Sequence, residues 1–197
     1  MVAAPLGVLA LQGDVREHVA VLAGLDVEVV AVRTADQLRS VRGLVIPGGE
    51  STTIARLLET SGMRTPLAER LRDGLPVLGT CAGLILLSRS VVDGRDDQWS
   101  FATIDVDVRR NGFGRQIASF ETVVRVEGVE GVGEVPGVFI RAPKIESWSE
   151  RVTVLATHDH GTGPTPVLVR QGAAWGCSFH PELTDSSAIH ELFLASL

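Results

Sequence analysis

Leu75-Pro76-Val77-Leu78-Gly79-Thr80-Cys81-Ala82-Gly83 reads as a short apolar strand running into Gly-x-Cys-x-Gly, with an apolar helical stretch, Leu84 to Leu87, directly behind it. This is the pattern of a nucleophile elbow, with cysteine where many hydrolases carry serine. Such a turn lifts one side chain out of the sheet and sets it at a helix N-terminus. The glycines let strand and helix pass closely, because no Cβ intrudes. Free N–H groups at the helix start then face any negative charge that develops beside the sulfur. Cys81 is therefore a candidate nucleophile, and it needs a base, a group to orient that base, and donors for an oxyanion.

The flanking sequence supports an elbow set in a parallel sheet. Upstream, apolar runs at Leu6–Leu11, Val27–Val32 and Gly43–Ile46 alternate with helical stretches at 14–23, 35–40, 53–59 and 67–73. Near-continuous apolar strands separated by helices imply a mostly parallel sheet flanked by helices. Downstream the pattern changes. Ile104, Val106 and Val108 alternate with Asp105 and Asp107, and Val124 and Val126 with Arg125, as in strands with one wet face. Short strands are expected at 138–141, 152–156, 166–169 and 174–179. A last helix carrying Ile189, Leu192, Phe193 and Leu197 should follow caps at Thr184 and Asp185. The expectation is one α/β domain over residues 1–197, with antiparallel strands added to the parallel sheet.

Composition narrows the class. The chain has 197 residues, 45% hydrophobic and 21% charged, with a formal net charge of −6 and no basic stripe, which argues against nucleic acid as a partner. Two cysteines argue against a disulfide framework and for a reducing, cytoplasmic setting. Met1–Pro5 lacks the basic start of a secretory signal, and Asp26 and Glu28 interrupt the nearest apolar stretch, so no membrane span is expected.

The best base is His180 in Gly176-Cys177-Ser178-Phe179-His180-Pro181-Glu182. Pro181 holds His180 near extended geometry, and on an extended segment His180 and Glu182 face one side. Cys81, His180 and Glu182 then form a triad in the general sense. Cys177, three residues before His180, faces away and reads as a small core residue. The third component is Ile46-Pro47-Gly48-Gly49-Glu50-Ser51, a glycine turn between strand and helix. The Gly49 and Ala82 N–H groups could form an oxyanion hole. Neither a Walker-type nor a dinucleotide-type glycine pattern is present. His158-Asp159-His160 reads as a polar loop, not a metal cluster, and Asp105 and Asp107 as the wet face of a strand. His18 reads as a helix-surface residue and His190 as the polar face of the last helix.

Pro47-Gly48-Gly49, Gly79-Thr80-Cys81-Ala82-Gly83 and Phe179-His180-Pro181-Glu182 resemble the class I (triad) glutamine amidotransferases, whose fold is flavodoxin-like. Leu11-Gln12-Gly13, Glu50-Ser51-Thr52-Thr53, Arg110-Asn111-x-Phe113-Gly114-Arg115-Gln116, Phe139-Ile140-Arg141-Ala142-Pro143 and Gly176 to Thr184 narrow the resemblance to the glutaminase-subunit family of pyridoxal 5′-phosphate synthases. Asp14, after Gln12-Gly13, and the Val129–Val135 loop depart from that pattern. The resemblance implies hydrolysis of L-glutamine through Cys81, His180 and Glu182, with no cofactor and no metal. It also implies an oxyanion hole at Gly49 and Ala82, and glutamine binding by Gly48, Gly49, Glu50, Arg110, Ile140 and Arg141. The implied partner is a separate synthase subunit in a large ring-shaped complex, whose docking completes the oxyanion hole and receives the ammonia. Two alternatives stand beside this reading: a glutaminase feeding a different synthase, and a cysteine peptidase-like hydrolase of related fold.

Overall fold

A computed structural model describes residues 4–94, 98–112, 119–129, 132–159, 161 and 163–197. In chain order the first half comprises β1 (Leu6–Leu9), α1 (Val15–Gly24), β2 (Val29–Val32), α2 (Ala35–Ser40), β3 (Gly43–Ile46), α3 (Ser51–Thr60), α4 (Arg64–Arg72), β4 (Val77–Thr80) and α5 (Ala82–Leu87). Then follow β5 (Ser88–Val91), β6 (Ile104–Arg109), β7 (Ser119–Arg125), β8 (Glu134–Ile140), β9 (Lys144–Trp148), β10 (Thr153–Asp159), β11 (Pro164–Gln171) and β12 (Ala174–Cys177). A 3₁₀ turn at Pro181–Leu183 and α6 (Ala188–Ala195) complete the chain.

The main sheet has seven strands in the order β10-β11-β12-β4-β3-β1-β2. The run from β12 to β2 is parallel, and β10 and β11 join antiparallel at one edge. The mostly parallel sheet with added antiparallel strands is therefore as expected. A three-stranded sheet, β5-β6-β9, and the β7–β8 hairpin are the additions outside it. The sequence pattern did not reveal β5 or β9, because their exposed polar residues carry little apolar signal.

The period-2 pattern of the parallel strands divides the core. Leu44, Ile46 and Val77 pack into one apolar cluster, with Leu84, Leu86 and Leu87 of α5. Val8, Val45 and Leu78 pack into the other, with Trp175, Cys177 and Phe193. Each such side chain contributes about 1.5–3 kcal/mol through burial. Gly83 explains how tightly α5 lies on β3: a Cβ there would sit 2.1 Å from the Ile46 carbonyl oxygen. The carboxyl ends of β3, β4 and β12 consequently converge, and such ends are where open α/β sheets bind ligands.

Some local expectations fail. The last helix begins at Ala188 behind Ser187, because Pro181–Leu183 forms its own 3₁₀ turn and uses Thr184 as that turn's end. His158 is on β10, its ring 5.8 Å from those of Phe120 and Phe139, so it is not part of a polar loop. His160 and the Phe113-Gly114-Arg115-Gln116 run lie outside the described residues. Asp105 and Asp107 do form a wet face; Asp107 is bonded by Arg89, Ser90 and Ser147.

Candidate active site

Cys81 joins β4 to α5 with φ 48° and ψ −102°, a conformation that a non-glycine residue holds only when its surroundings enforce it. Here the enforcement is the Cys81 N–H bond to the Cys177 carbonyl at 2.8 Å and the burial of Ala82–Leu87 behind it. Five described non-glycine residues have positive φ, and three of them, Cys81, Asn111 and Arg141, line one cavity. The same cavity is bounded by Gly49, Glu50, Arg110 and Ile140. The Cys81 sulfur lies 4.0 Å from the Ile140 carbonyl. Larger grooves elsewhere, of about 540 Å³ beside Trp99 and about 830 Å³ beside Trp175, contain no nucleophile and base.

His180 arrives from β12, with its N–H on the Val138 carbonyl at 2.8 Å. The residue itself is near extended, φ −105° and ψ 88°, as its place before proline requires. Glu182 is brought round by the 3₁₀ turn and not by an extended segment. Its Oε1 accepts from His180 Nδ1 at 2.7 Å. That leaves Nε2 for Cys81, one of the groups that raise the imidazole's basicity. The three triad residues foreseen from the sequence are thus together, all buried.

The glycine loop is pinned from three sides. The Gly48 N–H donates to Thr80 Oγ1 at 3.1 Å, the Gly48 carbonyl accepts from the Asp14 N–H at 3.1 Å, and the Glu50 N–H donates to Gln12 Oε1 at 2.9 Å. In a trans peptide the Gly49 N–H points opposite the Gly48 carbonyl, hence away from Asp14. Gly49 itself has φ 149°, in the region that favours glycine.

Sequence reasoning missed Asp14. Its Oδ2 is 3.3 Å from His180 Nδ1, so two carboxylates share one imidazole proton. Burial works against charge on His180, but the neighbouring Asp14, Cys81 and Glu182 outweigh it and push the imidazole pKa up to about 12. Asp14, His180 and Glu182 offer ligand atoms within 4.8 Å of one another. The proton on Nδ1 occupies the place a cation would need, and the raised basicity keeps it there. Glu182 is itself shifted upward by burial, against the pull of His180. Burial likewise pushes the Cys177 thiol well up, as befits a core residue.

His18 and His190 are not surface residues: both are fully buried. His18 Nδ1 lies 2.9 Å from His190 Nε2, and His18 Nε2 lies 3.0 Å from Thr80 Oγ1. Ser51, also passed over, lines the cavity with a buried hydroxyl that has no partner among the described residues. Its place as the first residue of α3, behind the N-cap Glu50, concealed that role.

A family model, the SNO glutamine amidotransferase family, matches residues 8–197. The chain belongs to that family. Among the amidotransferase's curated relatives, a pyridoxal 5′-phosphate synthase subunit PdxT of Streptomyces griseus is 54% identical, over 96% of this chain and 93% of that one. A protein of the same name from Salinispora tropica is 50% identical, over 98% and 96%. A crystal structure of a glutamine amidotransferase shares 44% identity with a TM-score of 0.88 and 97% coverage of each chain. A Thermotoga maritima glutamine amidotransferase at 13% identity and TM-score 0.64, over 98% of this chain and 82% of that one, has the same fold. No helix among the described residues is long and apolar enough to cross a membrane.

The buried histidines give this amidotransferase an acid-side weakness. Burial holds the His190 pKa at about 4, and burial and the neighbouring imidazoles hold His18 well below its usual value. An unfolded histidine titrates near ~6.5. Above that pH neither state takes a proton at His190. As pH falls from there towards 4, only the unfolded chain does, so stability drops by up to ~1.4 kcal/mol per pH unit. Denaturant titrations at successive pH values should show this loss, shallower by about one proton in His190→Leu.

Proposed function

We propose that the chain, over residues 1–197 as a single glutaminase domain, hydrolyses L-glutamine to L-glutamate and ammonia. We also propose that it hands the ammonia to a pyridoxal 5′-phosphate synthase subunit, in a ring-shaped complex in the cytoplasm. The observation that carries this reading is Cys81 on its positive-φ elbow, facing a cavity, with its charge coupled to a His180 whose Nδ1 is held by Glu182. Its extension to the synthase rests on the names of the near-full-length relatives.

The steps follow from the groups present. The Cys81 sulfur attacks the side-chain amide carbon with its proton already held by His180, whose raised basicity keeps the imidazole protonated. Gly49 and Ala82 N–H groups take the oxyanion, each donor contributing about 3 kcal/mol. The tetrahedral intermediate collapses as His180 protonates the departing nitrogen, releasing ammonia and leaving a glutamyl thioester. Water, deprotonated by His180, attacks the thioester; glutamate leaves and the thiol is restored. Glu182 and Asp14 stabilise the imidazolium in both halves.

The cavity beside Cys81 is small and open to solvent on one side, so the amide head enters first. The amino-acid end then lies at the rim, where Arg110 and Glu50 face each other at 2.9 Å. Arg110 suits the α-carboxylate and Glu50 the α-ammonium. Ile140, Arg141 and Gly49 line the cavity and are proposed to contact glutamine, as is Gly48 beside them, and the Ser51 hydroxyl is free to bond substrate. Removing a charged hydrogen bond costs ~1.5–3 kcal/mol. Arg110→Ala should therefore raise the glutamine KM at least about tenfold while kcat changes far less. An unchanged KM removes Arg110 from the site.

Glutamine hydrolysis measured with and without the synthase tests the whole reading. Turnover is expected to rise on docking, because the Gly48–Gly49 peptide can be re-set by a partner at little backbone cost. Full turnover by the isolated chain, unaffected by synthase, refutes the switch. Absence of glutaminase activity in both conditions refutes the function.

A further inference from the structure

We infer that His18, backed by His190, is a positioning residue that holds the base-orienting carboxylate and the oxyanion loop in register. This rests on the glutaminase reading above. His18 comes from α1 and lies between three other elements: the end of β4, the Pro181–Leu183 turn and α6. Its Nε2 is 3.0 Å from Thr80 Oγ1 and 3.4 Å from Glu182 Oε2, an oxygen with no hydrogen-bond partner of its own. Its Nδ1 is 2.9 Å from His190 Nε2.

The tautomer with the proton on Nε2 is the one that turns a donor towards the Glu182 carboxylate. With the proton on Nε2, His18 donates towards Thr80 and Glu182, and His190 Nε2–H donates to the His18 Nδ1 lone pair. His190 Nδ1 then remains an acceptor, and it is the ring nitrogen with no partner. The reverse tautomer lets the Thr80 hydroxyl donate to Nε2, but it sets that lone pair beside the Glu182 carboxylate and buries an unpaired N–H on His190. Burial and the neighbouring imidazoles keep His18 uncharged, so the donor is present at neutral pH.

Both ends of this donor reach the chemistry. Glu182 Oε1 holds the His180 imidazole at 2.7 Å, so steadying Oε2 steadies the base. Thr80 Oγ1 also accepts the Gly48 N–H at 3.1 Å, so the same imidazole braces the loop that carries the oxyanion donor. The groups facing Glu182 are His180, His18 and, across the imidazole, Asp14; those facing His18 are His190, His180, Thr80 and Glu182.

The test compares two polar variants of similar volume. His18→Gln can place an amide N–H where Nε2 lies; His18→Asn reaches only as far as Nδ1. Glutamine turnover with synthase, the pH profile of kcat, the rate of Cys81 alkylation by iodoacetamide against pH, and the melting temperature are measured for each. His18→Gln is expected to stay within about threefold of the native kcat. His18→Asn is expected to lose kcat at least tenfold with KM within threefold. Its acid limb should move to higher pH, because Glu182 without its donor protonates more readily. Thr80→Val provides a second break in the chain and should lower kcat with the His18 donor intact. Identical turnover and alkylation profiles for Gln and Asn, or losses that follow melting temperature alone, overturn the inference. If no variant or native protein hydrolyses glutamine yet alkylation still separates Gln from Asn, the positioning role stands and the glutaminase reading falls.

Discussion

Cys81→Ala is expected to lower glutamine turnover by ~10⁴-fold or more, since loss of a triad nucleophile leaves only binding and oxyanion stabilisation. The fold should survive, because the elbow is held by the Cys81 backbone bond to Cys177 and by the buried face of α5, not by the thiol. Cys81→Gly sharpens the point. Glycine adopts the observed φ of 48° without a Cβ penalty, so this variant should be inactive yet more stable, by about 1 kcal/mol. Ammonia release and denaturant midpoints check the two halves separately. Turnover retained in the alanine variant would remove Cys81 from the mechanism. A glycine variant less stable than the native protein would show that the elbow is not strained. With synthase present, added ammonium salt should bypass both variants, because they lack only the ammonia source.

The second large effect is expected at Gly48. A Cβ built there lies 2.3 Å from His180 Cε1, 2.8 Å from Nδ1 and 3.0 Å from Asp14 Oδ2. Gly48→Ala therefore forces the imidazole away from its carboxylates and from the thiol. A misplacement of ~1 Å costs about 100-fold in rate, so kcat should fall at least that much. The backbone conformation at Gly48 is one that alanine adopts, since Gly48 is not among the positive-φ glycines, and the fold should persist. Gly24→Ala is the control: a Cβ there meets nothing within 4 Å, and activity should be unchanged. Native turnover in Gly48→Ala would mean that the imidazole has another productive position.

Asp14 shows how a neighbour of the site can escape sequence reasoning. It follows Gln12-Gly13 as a plausible helix cap, yet it makes no side-chain cap bond to α1. Instead its carboxylate joins Glu182 at His180 Nδ1, and its N–H holds the Gly48 carbonyl. That double role exists only because β1 and β3 are neighbours in the sheet, which places the segments after them side by side. Ser51 and Asn111 entered the site in the same way, as lining contributed by segments whose own patterns signal a helix start and a turn.

By itself the sequence picked out Cys81, His180, Glu182 and the glycine loop as the candidate site, together with a mostly parallel sheet. Each is written in a few consecutive residues: glycines around a cysteine after an apolar strand, a proline fixing the histidine before it, apolar runs of strand length. The tertiary structure alone decided the surroundings of that triad. His18 is 62 residues from Thr80 and 172 from His190, and no local pattern links them. Read along α1 or α6, a histidine looks like a wet-face residue. In the fold, the two imidazoles bond each other, one of them also bonds Thr80, and a neutral histidine so paired is buried at small cost, whereas an unpaired one is not.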